Sequence, residues 1–208
     1  MPSRDYHEAL WRELAEGLEP SDFALRSRFL LDHVSTGERV LDVGCGDGRF
    51  AGELLDAGAH VLGIDVAAEP LRRATARCPE LDVRLVAEAG PWQLEDSSFD
   101  VVWAGEVIEH VADTAAWLSE VRRVLRSGGS VVLSTPANEH LTLLAAALSR
   151  RAFARRFEPR GDHLRFYSRD TLTQLLGDFG FQQISVRGAG GLPGARRLLL
   201  AHAIRARF

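Results

Sequence analysis

Short apolar runs recur along the first two thirds of the chain, and amphipathic segments separate them. Each run has four to six residues, is rich in Val, Ile and Leu, and is typical of a strand buried on both faces of a parallel sheet. The runs are residues 40–43, 60–64, 83–86, 99–104 and 130–134. The segments between them show helical spacing of apolar positions; they are 50–57, 69–77 and 113–125, the last with its stop at Gly128-Gly129. This alternation predicts βαβ units, and so an α/β fold with a parallel sheet and helices on both faces.

The C-terminal third of the chain follows a less regular pattern. Residues 138–166 interrupt the alternation with an apolar helix candidate and an arginine-rich stretch. A helix is then predicted over 168–179, with Ser168 as its N-cap, followed by a strand over 181–187. The secondary structure of residues 195–208 is left undecided, because their Leu and Ala content favours a helix whereas the fold pattern requires a final strand.

A glycine cluster follows the first predicted strand, in the segment VLDVGCGDGRF. Gly44, Gly46 and Gly48 lie between the strand and the next helix, where open α/β sheets bind ligands. A dinucleotide fingerprint would place a glycine where Arg49 stands, and the lysine of a phosphate-binding P-loop is missing. The loop therefore favours a ligand without a pyrophosphate over a nicotinamide dinucleotide. The alternative is a plain tight turn.

Asp65 ends the second predicted strand, 21 residues beyond Gly44. An acidic residue about 20 residues past such a loop accepts hydrogen bonds from ribose hydroxyls in nucleotide-binding folds. The alternative role for Asp65 is to cap the following helix.

Four segments together resemble the class I S-adenosylmethionine-dependent methyltransferases: VLDVGCGDG, GID, SSFDVVWAGEVIEHV and LRSGGSVVLSTP. The similarity extends over residues 20–187 and is greatest to the small-molecule branch that includes ubiquinone-pathway and natural-product O-methyltransferases. This resemblance implies a Rossmann-like sheet of about seven strands with an antiparallel last strand. It also implies S-adenosylmethionine as cofactor and S-adenosylhomocysteine as product.

The resemblance assigns cofactor-binding roles to individual positions. Asp42 and Arg26 are expected near the amino and carboxylate groups of the methionine part, and Asp65 at the ribose. Glu88 stands where the family has Asp as an acceptor for the adenine amino group. The remaining expected contacts are Gly44, Cys45, Gly46, Val66, Ala89, Gly105 and Glu106. For Arg26 the alternative is a solvated arginine of a helix.

Transfer to an oxygen requires a base, and histidine has a suitable pKa near neutrality. Three histidines follow motifs predicted at the ligand edge: His110, His140 and His163. We favour His163 slightly over His140 as the base, and His110 has the alternative role of anchoring a helix. For His7, His33, His60 and His202 a surface or core role is expected.

The sequence predicts a single methyltransferase domain over residues 1–208, with an N-terminal helical cap at 1–35 and an active-site lid at 138–166. Arg150, Arg151, Arg155, Arg156 and Arg160 of the lid are compatible with an acidic acceptor. Together with the apolar segment 141–148 they are also compatible with weak contact to an anionic membrane surface. The third interpretation is a solvated helix face.

Composition limits the remaining classes of function. The net charge of −4 argues against a nucleic-acid-binding protein. The chain has only two cysteines, which excludes a disulfide framework and a cysteine-rich zinc site. We therefore expect no metal, and we expect a cytoplasmic location. No apolar segment has the length of a membrane span. The sequence does not indicate the oligomeric state.

The sequence predicts methyl transfer to a small molecule, with oxygen as the favoured acceptor. Two alternatives to this function remain. The first is a nicotinamide-dependent oxidoreductase, against which Arg49 and the EVIEHV segment argue. The second is a non-catalytic relative that binds S-adenosylmethionine or S-adenosylhomocysteine as a sensor or partner subunit.

Overall fold

The computed structural model describes residues 3–156, 158 and 161–207. Its helices are α1 (Ser3–Glu13), α2 (Phe23–Leu31), α3 (Arg49–Asp56), α4 (Ala68–Arg77), α5 (Thr114–Val124), α6 (His140–Ala147), α7 (Arg150–Arg156) and α8 (Arg169–Asp178). Its strands are β1 (Arg39–Val43), β2 (His60–Asp65), β3 (Asp82–Leu85), β4 (Phe99–Gly105), β5 (Leu125–Pro136), β6 (Phe181–Leu192) and β7 (Ala195–Arg205). None of the described helices is long and apolar enough to cross a membrane.

The strands form one seven-stranded sheet in the order β3-β2-β1-β4-β5-β7-β6. Neighbouring strands from β3 to β5 are parallel, and β7 runs antiparallel to both β5 and β6. This topology confirms the predicted α/β fold with a mostly parallel sheet and an antiparallel last strand.

Alternate residues of the central strands enter two separate hydrophobic clusters. On β4, Val102 and Ala104 pack with α5 and α8, whereas Val101 and Trp103 pack with α2 and α3. Because side chains alternate across a strand, both faces of the sheet are buried beneath helices. This arrangement leaves the carboxyl ends of the parallel strands as the accessible edge for a ligand.

The last stretch of the chain is a strand, which resolves the choice that the sequence left open. Leu198, Leu199, Leu200 and Ala201 of β7 are all at most 4% exposed, between β5 on one side and β6 on the other. A strand that is buried on both faces reads as a continuous apolar run, so its composition resembles that of a buried helix. Tertiary packing therefore overrides the helix propensity of Leu and Ala.

The predicted stop at Gly128-Gly129 is wrong in its position. Helix α5 ends at Val124, and β5 begins at Leu125 and passes through both glycines. The pairing of β4 with β5 shifts register here, from Phe99–Leu125 to Val101–Ser130. A Cβ on Gly129 would lie 2.8 Å from the carbonyl oxygen of Asp100, so this glycine permits a close approach of the two strands.

Helix α1 is attached to the beginning of α4. The Glu8 carboxylate accepts hydrogen bonds from the backbone N–H groups of Ala68 at 2.8 Å and Glu69 at 3.1 Å, so it caps α4 from a distant part of the chain. Arg73 of α4 donates to the backbone carbonyls of Trp11 and Leu14. These contacts hold α1 over the edge of the sheet at which β1 and β2 end.

Candidate active site

A cavity of about 420 Å³ opens at the carboxyl ends of β1, β2 and β4. The chain order reverses between β1 and β4, and such a switch point is where open α/β sheets bind ligands. Helix α1 forms part of its wall through His7, Leu10 and Trp11. The cavity is therefore enclosed partly by elements that precede the first strand.

The glycine loop lines one wall of this cavity in a conformation that disfavours other residues. Gly44 and Gly46 have φ angles of 68° and 55°. A Cβ on Gly44 would lie 2.6 Å from a methyl group of Val107, and one on Gly46 would lie 2.9 Å from the ring of Trp11. Glycine is therefore required at both positions by the backbone conformation and by the close packing of Val107 and Trp11 against the loop.

Asp65 lies in the cavity wall and organises the same loop. It is 7% exposed; one carboxylate oxygen accepts from the N–H of Gly46 at 3.1 Å and the other from the N–H of Ala67 at 3.0 Å. Burial raises the pKa of Asp65, and these two N–H groups oppose that rise. Each oxygen keeps a further lone pair for a ligand hydroxyl.

Asp42 lies beneath the loop and is 2% exposed. Burial and the charge of Asp65 raise the pKa of Asp42 to about 8, while Arg26 acts in the opposite direction. Its Oδ2 atom has no hydrogen-bond partner among the described residues. A buried acceptor without a partner is unfavourable. Asp42 itself is not among the described lining residues of the cavity, which the following Val43 and Gly44 reach instead.

Arg26 of α2 is buried against the cavity rather than solvated. It is 3% exposed, its Nε donates to Ser134 Oγ at 3.0 Å, and its guanidinium lies 4.7 Å from the centre of the Phe50 ring. Ser134 Oγ in turn donates to Glu106 Oε1 at 3.0 Å. Burial lowers the pKa of Arg26 and raises that of Glu106. These contacts place Arg26 and Glu106 in one polar network at the ends of β4 and β5.

The other predicted cofactor contacts differ in their placement. Most of them line the cavity; they are Cys45, Val66, Glu88, Gly105 and Glu106. Gly105 permits a close approach, because a Cβ there would lie 2.5 Å from a guanidinium nitrogen of Arg26. Asp42 and Ala89 are not among the described lining residues.

Two of the three predicted histidines meet in the wall of the cavity. The rings of His110 and His163 are 4.9 Å apart, edge to face, and both residues line the cavity. His110 Nδ1 lies 3.0 Å from the carbonyl oxygen of Asp162, and burial lowers the pKa of His110. His140 is exposed at the start of α6 and does not line the cavity, because the chain turns away after β5.

Several lining residues were not predicted from the sequence. His7 lies 5.8 Å from the ring of His110, although a surface or core role was expected for it. Glu109 is 1% exposed, and burial followed by the charge of Glu106 raises its pKa to about 8. Its place in EVIEHV, three residues after Glu106, was a usable signal. No local pattern marks Trp11 or Asp162.

Comparison with known proteins identifies related sequences. A family model described as "Methyltransferase domain" matches residues 10–186. The ubiquinone biosynthesis O-methyltransferase of Methylococcus capsulatus is 32% identical over 176 residues, which cover 81% of this chain and 74% of that protein. A probable S-adenosylmethionine-dependent methyltransferase of Mycolicibacterium smegmatis is 40% identical over 106 residues, or 51% of this chain and 41% of that protein.

Solved structures share the fold. An S-adenosylmethionine-dependent methyltransferase from Mesorhizobium loti aligns with a TM-score of 0.69 and 25% identity, over 89% of this chain and 98% of that one. Phosphoethanolamine N-methyltransferase 2 of Haemonchus contortus, solved in complex with S-adenosyl-L-methionine, aligns with a TM-score of 0.78 and 16% identity. That alignment covers the whole of this chain and 60% of the Haemonchus chain.

Proposed function

The chain belongs to the S-adenosylmethionine-dependent methyltransferases, and we propose that it transfers the methyl group to an oxygen of a small-molecule acceptor. It is an enzyme with S-adenosylmethionine as its cofactor, which excludes the nicotinamide-dependent and non-catalytic alternatives. The O-methyltransferase name of the Methylococcus relative supports an oxygen acceptor. The observation that carries the proposal is the meeting of His110 and His163 in the cavity wall beside Glu109 and Asp162, which we take as the acceptor end.

The residues of the cavity fit S-adenosylmethionine. The buried guanidinium of Arg26 lines the cavity and suits the carboxylate of the methionine part. Asp42 lies behind the lining, and we propose that its unpartnered Oδ2 acts on the ammonium directly or through water. Asp65 has free lone pairs for the ribose hydroxyls, while Val66 and Glu88 line the wall assigned to adenine. The glycine loop and Gly105 line the cavity with backbone, and the places that a Cβ would take are filled by Val107, Trp11 and Arg26. The backbone of Gly44, Cys45 and Gly46, the carboxyl of Glu106 and the N–H of Ala89 complete the proposed set.

When bound, S-adenosylmethionine supplies a methyl group on a positively charged sulfonium. The residues of this chain then have two tasks. The first is to align the acceptor, which contributes about 7–11 kcal/mol in well-oriented reactions. The second is to accept the proton of the acceptor, for which we propose His110: its Nδ1–H faces the Asp162 carbonyl, so that Nε2 is free to act as the base.

We expect cofactor binding to release a proton from Asp42. Its carboxyl has a raised pKa of about 8 and is therefore largely neutral at pH 7, and a nearby ammonium favours the charged form. Titration calorimetry of S-adenosylhomocysteine in buffers of different ionisation enthalpy should detect about one proton released at pH 7 and fewer at pH 9. Asp42→Asn should lose this release and bind more weakly, whereas the exposed Asp82→Asn should behave as wild type. Equal proton release by wild type and Asp42→Asn would contradict the assignment.

The raised pKa of Asp42 also affects the stability of the protein without cofactor. Because the folded pKa of Asp42 is raised above the unfolded value of about 3.9, its contribution is fully present below that value and is lost as the pH rises through about 8. Between pH 5 and pH 8 the wild type should therefore lose stability relative to Asp42→Asn, so the free energy of unfolding of the variant should rise relative to that of the wild type. Urea denaturation at the two pH values measures the difference.

The lining of the acceptor end favours an uncharged acceptor over an acidic one. Asp162 and the buried Glu109 line this end together with the histidines, and neither Arg150 nor Arg151 lines the cavity. Arg160 and the side chains of Arg155 and Arg156 lie outside the described residues. The test is a panel of phenols, alcohols, amines and carboxylates incubated with methyl-labelled cofactor; label transfer to hydroxyl compounds is expected, and transfer to amines or carboxylates alone would contradict the proposal.

We propose the same domain organisation as the sequence analysis, a methyltransferase domain over 1–208 with a cap and a lid. Residues of α1 and α2 within the cap, 1–35, contribute to the cavity wall. Within the lid, 138–166, Asp162 and His163 reach the cavity, and the N–H groups of Leu164 and Arg165 bond to the carbonyl of Glu109. The lid thereby fixes His163 next to His110.

The remaining part of the lid supports a proposal of weak contact with an anionic membrane surface. Leu144 and Leu148 of the segment 141–148 are 57% and 82% exposed, and the exposed Arg150 and Arg151 follow. Sedimentation with phosphatidylglycerol vesicles should fall several-fold for Leu148→Asp, and the control Leu85→Asp should match wild type. Equal sedimentation of Leu148→Asp and wild type would contradict the proposal.

A cytoplasmic location stays a prediction, supported by the free, buried Cys45 and Cys78.

A further inference from the structure

The carboxyl of Glu109 is only half satisfied by the protein. Its Oε2 accepts a hydrogen bond from Thr135 Oγ1 at 2.8 Å. Its Oε1 is buried and has no hydrogen-bond partner among the described residues. The residue is 1% exposed and lines the cavity at the acceptor end. A polar atom in this situation indicates a partner that arrives with a ligand.

His110 offers the complementary atom beside it. Because the Asp162 carbonyl can only accept, Nδ1 of His110 carries the hydrogen, and Nε2 of the neutral ring has a lone pair. Nε2 lies 3.9 Å from Glu109 Oε1, which is too long for a direct hydrogen bond. One oxygen atom at ordinary hydrogen-bond distance from both fits between them.

We propose that Glu109 Oε1 and His110 Nε2 together hold the reacting hydroxyl of the acceptor, so that Glu109 is a catalytic residue. The inference rests on the proposed function and narrows its substrate class. The hydroxyl donates its hydrogen to Nε2, and its oxygen accepts one from the protonated carboxyl of Glu109. Burial, which raises the pKa of Glu109, keeps that carboxyl protonated at neutral pH.

The transfer step forms one bond, breaks one bond and moves one proton. The acceptor oxygen forms its new bond to the methyl carbon, the electron pair of the carbon–sulfur bond goes to sulfur, and the hydroxyl proton passes to His110 Nε2. A hydroxyl is both donor and acceptor and satisfies both protein groups, whereas a carboxylate or an ether has no hydrogen for Nε2. The pair therefore selects neutral phenols or alcohols.

The binding test compares phenol with anisole, which lacks the hydroxyl hydrogen, by ligand-observed NMR titration of the protein saturated with S-adenosylhomocysteine. Wild type should prefer phenol, and Glu109→Ala should lose about tenfold in phenol affinity with little change for anisole. Glu109→Gln, whose amide still donates, should stay within about threefold of wild type. The exposed Glu95→Gln is the matched control. Unchanged affinity for S-adenosylhomocysteine shows that each variant is folded.

Three results would overturn the inference. The first is equal affinity of wild type for phenol and anisole, or binding of neither. The second is a loss in Glu109→Gln as large as in Glu109→Ala, which would assign the role to a negative charge instead. The third is loss of phenol binding on adding EDTA, which would assign it to a bound cation. Preference for phenol without methylation of any hydroxyl compound would instead refute the proposed function alone.

Discussion

Replacing His110 by Gln is expected to lower turnover about 10²–10⁴-fold, the usual contribution of general acid–base catalysis. Affinity for S-adenosylhomocysteine should stay near wild type, because His110 lies at the acceptor end of the cavity. Part of the lost rate should return at high pH, where the acceptor ionises unaided. Since burial lowers the pKa of His110, the wild-type rate should also persist below the usual histidine pKa of about 6.5.

The other two histidines are matched controls for this experiment. His140→Gln should keep wild-type turnover, because His140 is exposed and outside the cavity. His163→Gln should show a smaller loss than His110→Gln, since His163 packs edge to face against the His110 ring. A large loss confined to His163→Gln would restore the preference for His163 drawn from the sequence. Wild-type turnover of both His110→Gln and His163→Gln from about pH 6 to pH 9 would exclude these two histidines as the base.

Asp65→Ala is expected to lower cofactor affinity at least about tenfold, because each lost hydrogen bond to a charged group is worth about 1.5–3 kcal/mol. The variant also loses the bonds of the carboxylate to the N–H groups of Gly46 and Ala67, so the glycine loop is less well ordered. Calorimetric titration with S-adenosylhomocysteine measures the change.

Two further variants serve as controls for the titration of Asp65→Ala. Asp82→Ala removes an exposed carboxylate from neighbouring strand β3 and should bind as wild type. Asp65→Asn retains one acceptor oxygen but turns an amide N–H₂ towards an N–H donor, so its affinity should be intermediate. Unchanged affinity of Asp65→Ala would refute the ribose assignment.

The position of the residues that we propose for the cofactor was predictable from the sequence because they lie within continuous segments. Gly44, Gly46 and Asp65 follow directly on strands whose apolar runs are unambiguous, and parallel strands bring their carboxyl ends to one edge. The same reasoning placed Glu106 correctly after β4.

The acceptor half was less predictable because residues far apart in the chain form it. His7, His110 and His163 come from α1, the loop after β4 and the end of the lid, and only tertiary packing brings them together. His140 shows the converse: its position after β5 suggested the ligand edge, but α6 directs it to solvent. The strand β7 was ambiguous for the related reason that burial on both faces removes the alternating pattern.

The most direct test of the account is a titration of the purified protein with S-adenosylhomocysteine, S-adenosylmethionine and NAD by calorimetry. We expect micromolar or tighter binding of the first two ligands and none of NAD, since Arg49 stands where a dinucleotide site needs glycine. Binding of NAD without binding of S-adenosylmethionine or S-adenosylhomocysteine would contradict the account.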